Sequence, residues 1–257
     1  MAMLFSQDEN ANTEIGESTM VDVEWSDGLA VLTIDRPHAR NAIALSTMGE
    51  LEAALDSAAG AAALVIRGGG DRAFVSGGDL KELAALRTLD EAAGMARQMR
   101  AICDRIAAFP APVIAALNGH ALGGGAEVAV AADIRVAADD VKIGFNQVSL
   151  AIMPAWGGAE RLAALVGRSE ALLLAGSGTV LSAAEAHRIG LINRVVPRAK
   201  FDAEWRSVAQ SLAHRPAGEI KRVLAGVTPE EAISAFAGLW ISDEHWAAAD
   251  RVMNRGK

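Results

Sequence analysis

One acidic side chain directly follows a run of glycines in the middle of the sequence. Within the segment 117–127, LNGHALGGGAE, Gly123 to Gly125 lie between apolar segments at 112–116 and 128–132. This order predicts a buried strand, a glycine turn and a helix. The first N–H groups of a helix lack internal partners, so such a turn could stabilise an oxyanion, with Glu127 as a nearby proton-transfer group. A glycine-rich helix packed on a sheet, with a solvated glutamate, fits the same pattern.

A second glycine turn of the same type lies upstream, in the segment 73–81, AFVSGGDLK. A short apolar segment leads through Gly77 and Gly78 to Asp79, whose side chain can cap the helix that follows. If the two turns converge, one backbone N–H from each could bind the same oxygen atom, which is what an oxyanion hole requires. The alternative is two unrelated turns.

The segments around these turns indicate an α/β domain. Val21 to Trp25 and Ala30 to Asp35 alternate apolar and polar residues around Asp27-Gly28, which predicts a β-hairpin. Strands and helices then alternate along the chain, as in folds built from successive βαβ-like or ββα-like units. Residues 1–20 predict a mobile polar arm with no signal peptide.

Composition excludes several classes of function. The 257 residues carry a formal net charge of −8, which argues against binding to nucleic acid or to an anionic membrane surface. No apolar stretch approaches the length of about 18 residues that a membrane span needs. Cys103 is the single cysteine, which suits a reducing compartment. The sequence contains neither a CxxC nor an HExxH motif, so a metal site is not expected. We therefore expect a cytoplasmic protein without a metal.

Several motifs in order resemble the crotonase superfamily, the enoyl-CoA hydratase/isomerase family. Both glycine turns match its paired signature, and three further segments match its other motifs: DRPHARNA at 35–42, IMPAWGG at 152–158 followed by Arg161-Leu162, and AEAHRIGLINRVV at 184–196. The resemblance covers about residues 21–255. It implies a crotonase-like ββα spiral core at 21–196 and an all-helical, trimer-forming C-terminal region at 197–257.

The resemblance also assigns roles to individual residues. The N–H groups of Gly78 and Gly124 would hold the thioester carbonyl of an acyl-CoA. Coenzyme A would then be part of the substrate, with no separate cofactor. The resemblance implies that the loop residues Ser76, Leu80 and Lys81 bind CoA. It also implies an arginine that binds the CoA phosphates, and we prefer Arg40 over Arg36 for this role.

The proton-transfer groups depart from the family pattern. The family's hydratases hold a water between two glutamates, of which Glu127 matches the first. The position of the second, seven residues before Pro154, is Gln147, which cannot transfer a proton near neutral pH. Hydration of a 2-enoyl-CoA in fatty-acid or related metabolism is the preferred prediction. Decarboxylation of an alkylmalonyl-CoA, isomerisation and acyl-CoA binding without catalysis remain open.

Aromatic residues and the C-terminal region complete the predictions. The segment around Trp156 resembles ethylmalonyl-CoA decarboxylase-like members, and Phe145, Trp156 and Trp240 could line an acyl pocket. The resemblance implies a homotrimer or a dimer of trimers, in which Arg255 or Lys257 could reach the CoA of a neighbouring subunit. The segment 68–73 formally matches a dinucleotide fingerprint. A strand rather than a helix is predicted to follow it, which argues against a Rossmann enzyme.

Overall fold

A computed structural model describes residues 19–213 and 216–254. The described chain forms two sheets surrounded by helices. The six-stranded sheet has the order β1-β2-β3-β5-β7-β10 and the four-stranded sheet the order β4-β6-β8-β9. The strands are β1 Val21–Ser26, β2 Leu29–Ile34, β3 Ala63–Gly68, β4 Ala73–Val75, β5 Val113–Leu117, β6 His120–Leu122, β7 Ile134–Ala138, β8 Lys142–Gly144, β9 Val180–Ser182 and β10 Arg194–Val196.

The helices follow the strands in an alternating order, as the sequence predicts. They are α1 Leu45–Ser57, α2 Leu80–Leu83, α3 Leu89–Ala107, α4 Gly124–Ala131, α5 Gly158–Val166, α6 Arg168–Ser177, α7 Ala183–Arg188, α8 Phe201–Ala213, α9 Ala217–Leu224, α10 Pro229–Trp240 and α11 Asp243–Met253. Short 3₁₀ helices span Pro37–Ala39, Asn146–Leu150 and Arg198–Lys200. The predicted α/β class and the helical C-terminal region are confirmed.

The large sheet supplies the rigid support for the rest of the core. β1 and β2 form the predicted antiparallel hairpin, and β2, β3, β5, β7 and β10 pair in parallel. β3 and β5 are almost entirely buried, as expected for parallel strands covered on both faces.

The small sheet brings the two glycine turns together. β4 and β6 are adjacent parallel strands, so their carboxyl ends lie at the same edge of the sheet. β4 leads through Gly77 and Gly78 into α2, and β6 leads through Gly123 into α4. The sequence interpretation did not resolve β6, because a strand of three residues carries too little alternation to separate it from the turn around it.

The C-terminal helices differ in how much of their surface is buried. Phe201, Trp205, Val208 and Ala209 of α8 are buried against the large sheet. In contrast, α10 and α11 contain no buried residue, and large apolar side chains remain exposed on them and on the turn between them. These include Ile233, Phe236, Trp240, Ile241, Trp246, Val252 and Met253.

Some predictions concern residues outside the described part of the chain. These are most of the 1–20 arm and both Arg255 and Lys257. Among the residues described, no helix combines the length and apolar character needed to cross a bilayer.

Candidate active site

A cavity of about 670 Å³ contains most of the side chains that the sequence singled out. It lies at the edge of the small sheet where the two glycine turns emerge. Arg40 and Lys81 do not line it. The other predicted site residues all do: Ser76, Gly78, Leu80, Gly124, Glu127, Gln147 and Trp156. Residues from widely separated parts of the chain therefore meet at one place, which supports the prediction of a common site.

Two backbone amides of the cavity have no acceptor among residues 19–213 and 216–254. The segment around Gly78 bridges to Ile43 through the carbonyl of Gly77 and the N–H of Asp79, so the N–H of Gly78 itself makes no hydrogen bond there. Gly124 is the first residue of α4, where no acceptor within the helix exists for its N–H. The turns are in contact, since a Cβ at Gly77 would lie 3.4 Å from the Gly124 nitrogen. Whether both amides reach one common point stays a prediction.

Close packing explains why two of these positions are glycine. A Cβ at Gly124 would lie 2.1 Å from Cζ3 of Trp156, whose indole covers the start of α4. A Cβ at Gly125 would lie 1.8 Å from the backbone oxygen of Val75 in β4. The two clashes differ in kind, because an indole can shift whereas a backbone carbonyl in a sheet cannot.

This difference predicts distinct outcomes for two adjacent alanine substitutions. Gly124→Ala should fold with a stability loss of roughly 1–3 kcal/mol, since it displaces a side chain, but should lose activity because the indole moves. Gly125→Ala should cost more than about 3 kcal/mol, because β4 and α4 must separate. Chemical denaturation of both proteins measures the ranking. Equal stabilities would contradict the packing described for Val75.

Glu127 is a buried carboxylate of the site and accepts three hydrogen bonds. Its Oε2 accepts from the backbone nitrogens of Trp156 at 2.7 Å and Gly158 at 3.0 Å. Its Oε1 accepts from Nε2 of Gln147 at 2.8 Å. With 2 % of its surface exposed, the side chain is not the solvated glutamate of the alternative interpretation. Three donors aimed at two oxygens match an ionised carboxylate, which only accepts.

Opposing effects act on the ionisation of this group. Burial raises the pKa of Glu127, and the amides of Gly158 and Trp156 together with Gln147 oppose that rise by binding the charged form. The net direction of the pKa is upward. A carboxyl whose pKa is moved toward neutrality is suited to exchange protons with a substrate or water.

Gln147 occupies the position expected for a second proton-transfer group, and it contacts Glu127 directly. Because its Nε2 donates to the carboxylate, its Oε1 is left as an acceptor. That oxygen is buried and has no partner in the described structure. A buried acceptor without a donor is costly, so any O–H group that reached this oxygen would be bound favourably.

The two arginines considered for phosphate binding have different surroundings. Arg36 is buried and pairs with Asp79 at 3.1 Å and Glu82 at 3.0 Å, which joins the 35–42 loop to the upstream glycine turn. Its charge is thus already neutralised. Arg40 and Lys81 are exposed and lie outside the cavity lining, and their contact with CoA stays a prediction.

The other aromatic candidates do not join the site. Phe145 is buried in the core and does not line the cavity. Trp240 lines a different cavity, between α8, α10 and α11. Of the three, Trp156 alone lies beside Glu127.

Sequence reasoning missed two features of the site. Arg87 adds a cationic side chain to the cavity lining, anchored by a 2.6 Å bond from Nε to the carbonyl of Ala84. The amides of Trp156 and Gly158 bind Glu127, and backbone donors of this kind leave no mark in residue type. The one available signal for this turn was Gly157, which lies between them and adopts a left-handed conformation.

No cluster of three His, Cys, Asp or Glu side chains that could hold a metal occurs in the described ranges.

Comparison with solved structures defines the class of fold. An enoyl-CoA hydratase from Bacillus anthracis has a TM-score of 0.86 and 27% identity, covering 92% of this chain and 97% of its own. An enoyl-CoA hydratase from Thermoplasma volcanium has a TM-score of 0.83 and 31% identity, covering 91% and 97%. The architecture is the crotonase fold.

Comparison with known sequences gives the family. The model of the enoyl-CoA hydratase/isomerase family matches residues 24–229. A probable enoyl-CoA hydratase of Bacillus subtilis is 39% identical over 77% of this chain and 76% of its own. A crotonyl-CoA hydratase of Syntrophomonas wolfei is 39% identical over 73% of each chain. The chain belongs to the enoyl-CoA hydratase/isomerase family, as the sequence motifs predict.

Proposed function

We propose that the protein adds water to the double bond of a 2-enoyl-CoA thioester. Support comes from one cavity that brings two amides without acceptors in the described chain, Gly78 and Gly124, beside a buried carboxylate. The names of the relatives favour hydration over the alternative reactions. Coenzyme A enters as part of the substrate, with no separate cofactor.

The amides of Gly78 and Gly124 form the oxyanion hole in this proposal. When water adds to the β-carbon, the π electrons of the double bond move toward the thioester, and negative charge gathers on its oxygen. Donors already aimed at that oxygen lower the barrier without reorganisation, and one such donor typically contributes about 3–4 kcal/mol.

Glu127 transfers the proton. A water beside it gives one O–H to the carboxylate and the other to Oε1 of Gln147, which has no partner in the described ranges. These two bonds orient the attacking oxygen. As the C–O bond forms, the water proton passes to Glu127, and the same carboxyl then returns it to the α-carbon of the enolate. Gln147 holds the water but transfers no proton.

The ionisation of Glu127 then sets the pH dependence. The free enzyme is active with the carboxylate charged, and burial raises the pKa of that carboxyl. We expect kcat/KM to fall as pH falls through this raised pKa, giving one acid limb in a pH–rate profile measured with crotonyl-CoA. A bell-shaped profile would reveal a second ionising group that Gln147 cannot supply.

The oligomeric state, substrate range and location form the finer part of the proposal. Exposed apolar side chains on α10 and α11 support assembly as a homotrimer or a dimer of trimers through 197–257. In this proposal 21–196 is the catalytic core, and the protein works in cytoplasmic fatty-acid or related acyl-CoA metabolism. Ser76, Leu80, Lys81 and Arg40 contact CoA, and Trp156 contacts the acyl group.

A mass-spectrometric screen tests the reaction. Purified protein is incubated with crotonyl-CoA, with longer 2-enoyl-CoAs, and with methylmalonyl- and ethylmalonyl-CoA. Hydration adds the mass of one water to an enoyl ester, decarboxylation removes CO₂ from a malonyl ester, and isomerisation changes retention at constant mass. Water addition is the expected result. Loss of CO₂ as the main product, or binding of esters without conversion, would overturn hydration.

A further inference from the structure

The turn that holds Glu127 leads from the second 3₁₀ helix into the first residue of α5. It supplies two amides, those of Trp156 and Gly158, to the same carboxylate oxygen. Gly157 between them has φ of 88°, a left-handed conformation that favours glycine. The direction of both N–H bonds therefore depends on the peptide unit that joins Trp156 to Gly157.

Arg161 binds that central peptide unit. Its Nη1 donates to the carbonyl oxygen of Trp156 at 3.2 Å. The guanidinium lies so close that a Cβ at Gly157 would come within 2.2 Å of Nη1. Fixing the middle one of three consecutive peptide units restricts the two on either side, and these carry the donors to Glu127.

The guanidinium is itself anchored from a neighbouring helix. Nη2 of Arg161 donates to the carboxylate of Asp104 on α3. Asp104 also lies 3.8 Å from Arg100, which pairs with Glu160 of α5 at 2.7 Å. Arg161 is partly buried, with 19 % of its side chain exposed, and it does not line the cavity.

We propose that Arg161, anchored by Asp104, is a positioning residue that keeps the Trp156 and Gly158 amides aimed at Glu127. The inference rests on the proposed function of Glu127 but concerns the orientation of its carboxylate rather than the identity of the substrate. Because Arg161 does not line the cavity, its effect on the site passes through the turn.

Charge alone offers a competing explanation, because other ionisable groups surround Glu127. On α3 and α5 these are Arg100, Cys103, Asp104, Glu160 and Arg161. Removing a nearby cation raises the pKa of a carboxyl, and removing a nearby anion lowers it. Loss of correctly aimed N–H donors raises it. Substitution of the Asp104 carboxylate therefore distinguishes the two explanations. The loss of its charge would lower the pKa of Glu127, whereas the loss of positioning would raise it.

The test compares Asp104→Ala with Glu160→Gln. Each removes one carboxylate from the same network, but of the two only Asp104 accepts a hydrogen bond from Arg161, whereas Glu160 accepts one from Arg100. Positioning predicts that D104A moves the acid limb of the pH–rate profile to higher pH and lowers kcat, whereas E160Q leaves both near the parent. A shift to lower pH in both variants would show that charge alone is at work and overturn the proposal.

Among the variants of this ion-pair network, Arg161→Met gives the largest expected effect on kcat. It keeps much of the side-chain length without a donor or charge, and we expect kcat to fall by on the order of 10- to 100-fold with little change in KM, because a misplaced catalytic group slows the chemical step. Arg161→Lys, which keeps a donor and the charge, should recover part of the loss. Equal loss in R161K and R161M, or a rise in KM alone, would contradict the role.

A second readout does not depend on turnover. The carboxyl ¹³C signal of Glu127, identified by its absence from Glu127→Gln, can be titrated in the parent and in D104A. A raised midpoint in D104A supports positioning even if the protein hydrates no enoyl-CoA. An unchanged midpoint would overturn it even if hydration is established, so the two proposals fail separately.

Discussion

The Glu127→Gln protein should bind a CoA ester with parental affinity while kcat falls by at least about 100-fold, which is the usual contribution of a general acid–base group. A glutamine has nearly the size of the glutamate and keeps one acceptor oxygen, but it does not take up a proton near neutral pH. The measurement pairs a hydration assay with calorimetric titration of a non-hydratable acyl-CoA.

The surrounding donors explain why this variant should remain folded. In Glu127→Gln, the oxygen of the introduced amide can accept from Trp156 and Gly158, as Oε2 of Glu127 does now. The nitrogen of that amide can donate to Gln147 once the Gln147 side chain rotates. The Oε1 of Gln147, which currently has no partner in the described chain, then gains a donor. Both the oxygen and the nitrogen of the introduced amide can therefore face a complementary hydrogen-bond partner.

Stability provides an independent check with a definite sign. Because burial raises the folded-state pKa of Glu127 above its unfolded value, its contribution to stability is full below the unfolded pKa. That contribution is lost as pH rises through the folded pKa, where a buried charge must be maintained. Glu127→Gln lacks this loss, so its Tm relative to the parent should increase as pH rises above the ordinary pKa of a glutamate.

A matched control separates the chemistry from the substitution itself. Glu204 on α8 pairs with Arg194 at 2.5 Å and lies outside the cavity. Glu204→Gln makes the same chemical change and should keep parental kcat. If Glu127→Gln also keeps parental kcat, Glu127 is not the proton-transfer group.

The sequence predicted the parts of the site that depend on residue type. Glycines at 77–78 and 123–125 mark turns where the backbone must pass close to other groups, and the apolar segments before them predict strands. Glu127 and Gln147 stand out because they are polar residues at positions that the motifs place in a common site. In the structure these two side chains are in direct contact.

Features that depend on three-dimensional packing could not be predicted in the same way. From residue type alone, Arg36 and Arg40 were similar candidates for binding phosphate. Burial and the ion pairs of Arg36 with Asp79 and Glu82 distinguish them. The backbone amides that hold Glu127 belong to residues whose side chains say nothing about those bonds. The parallel pairing of β4 with β6, which brings the turns together, involves strands too short to leave a periodic pattern.

Gln147→Glu is expected to convert the single-carboxylate site into a pair and to change the pH profile most. Its new carboxyl would replace an amide that lies 2.8 Å from Glu127. Two carboxylates at that separation share one proton, so the pair titrates in two steps with the upper pKa raised. The second carboxyl can then supply the proton that Gln147 cannot. We expect a bell-shaped profile and faster hydration of crotonyl-CoA, by on the order of 100-fold at its optimum.

The same change should cost stability at high pH. The raised upper pKa of the pair means that the folded state holds a proton the unfolded chain releases, so stability is lost as pH rises through that value. Gln147→Met is the control: it keeps the volume but neither donates to Glu127 nor holds a water, and its activity should fall. An unchanged, one-limbed profile in Gln147→Glu would mean that position 147 does not reach the reacting proton. Water orientation would then have to come from elsewhere in the cavity.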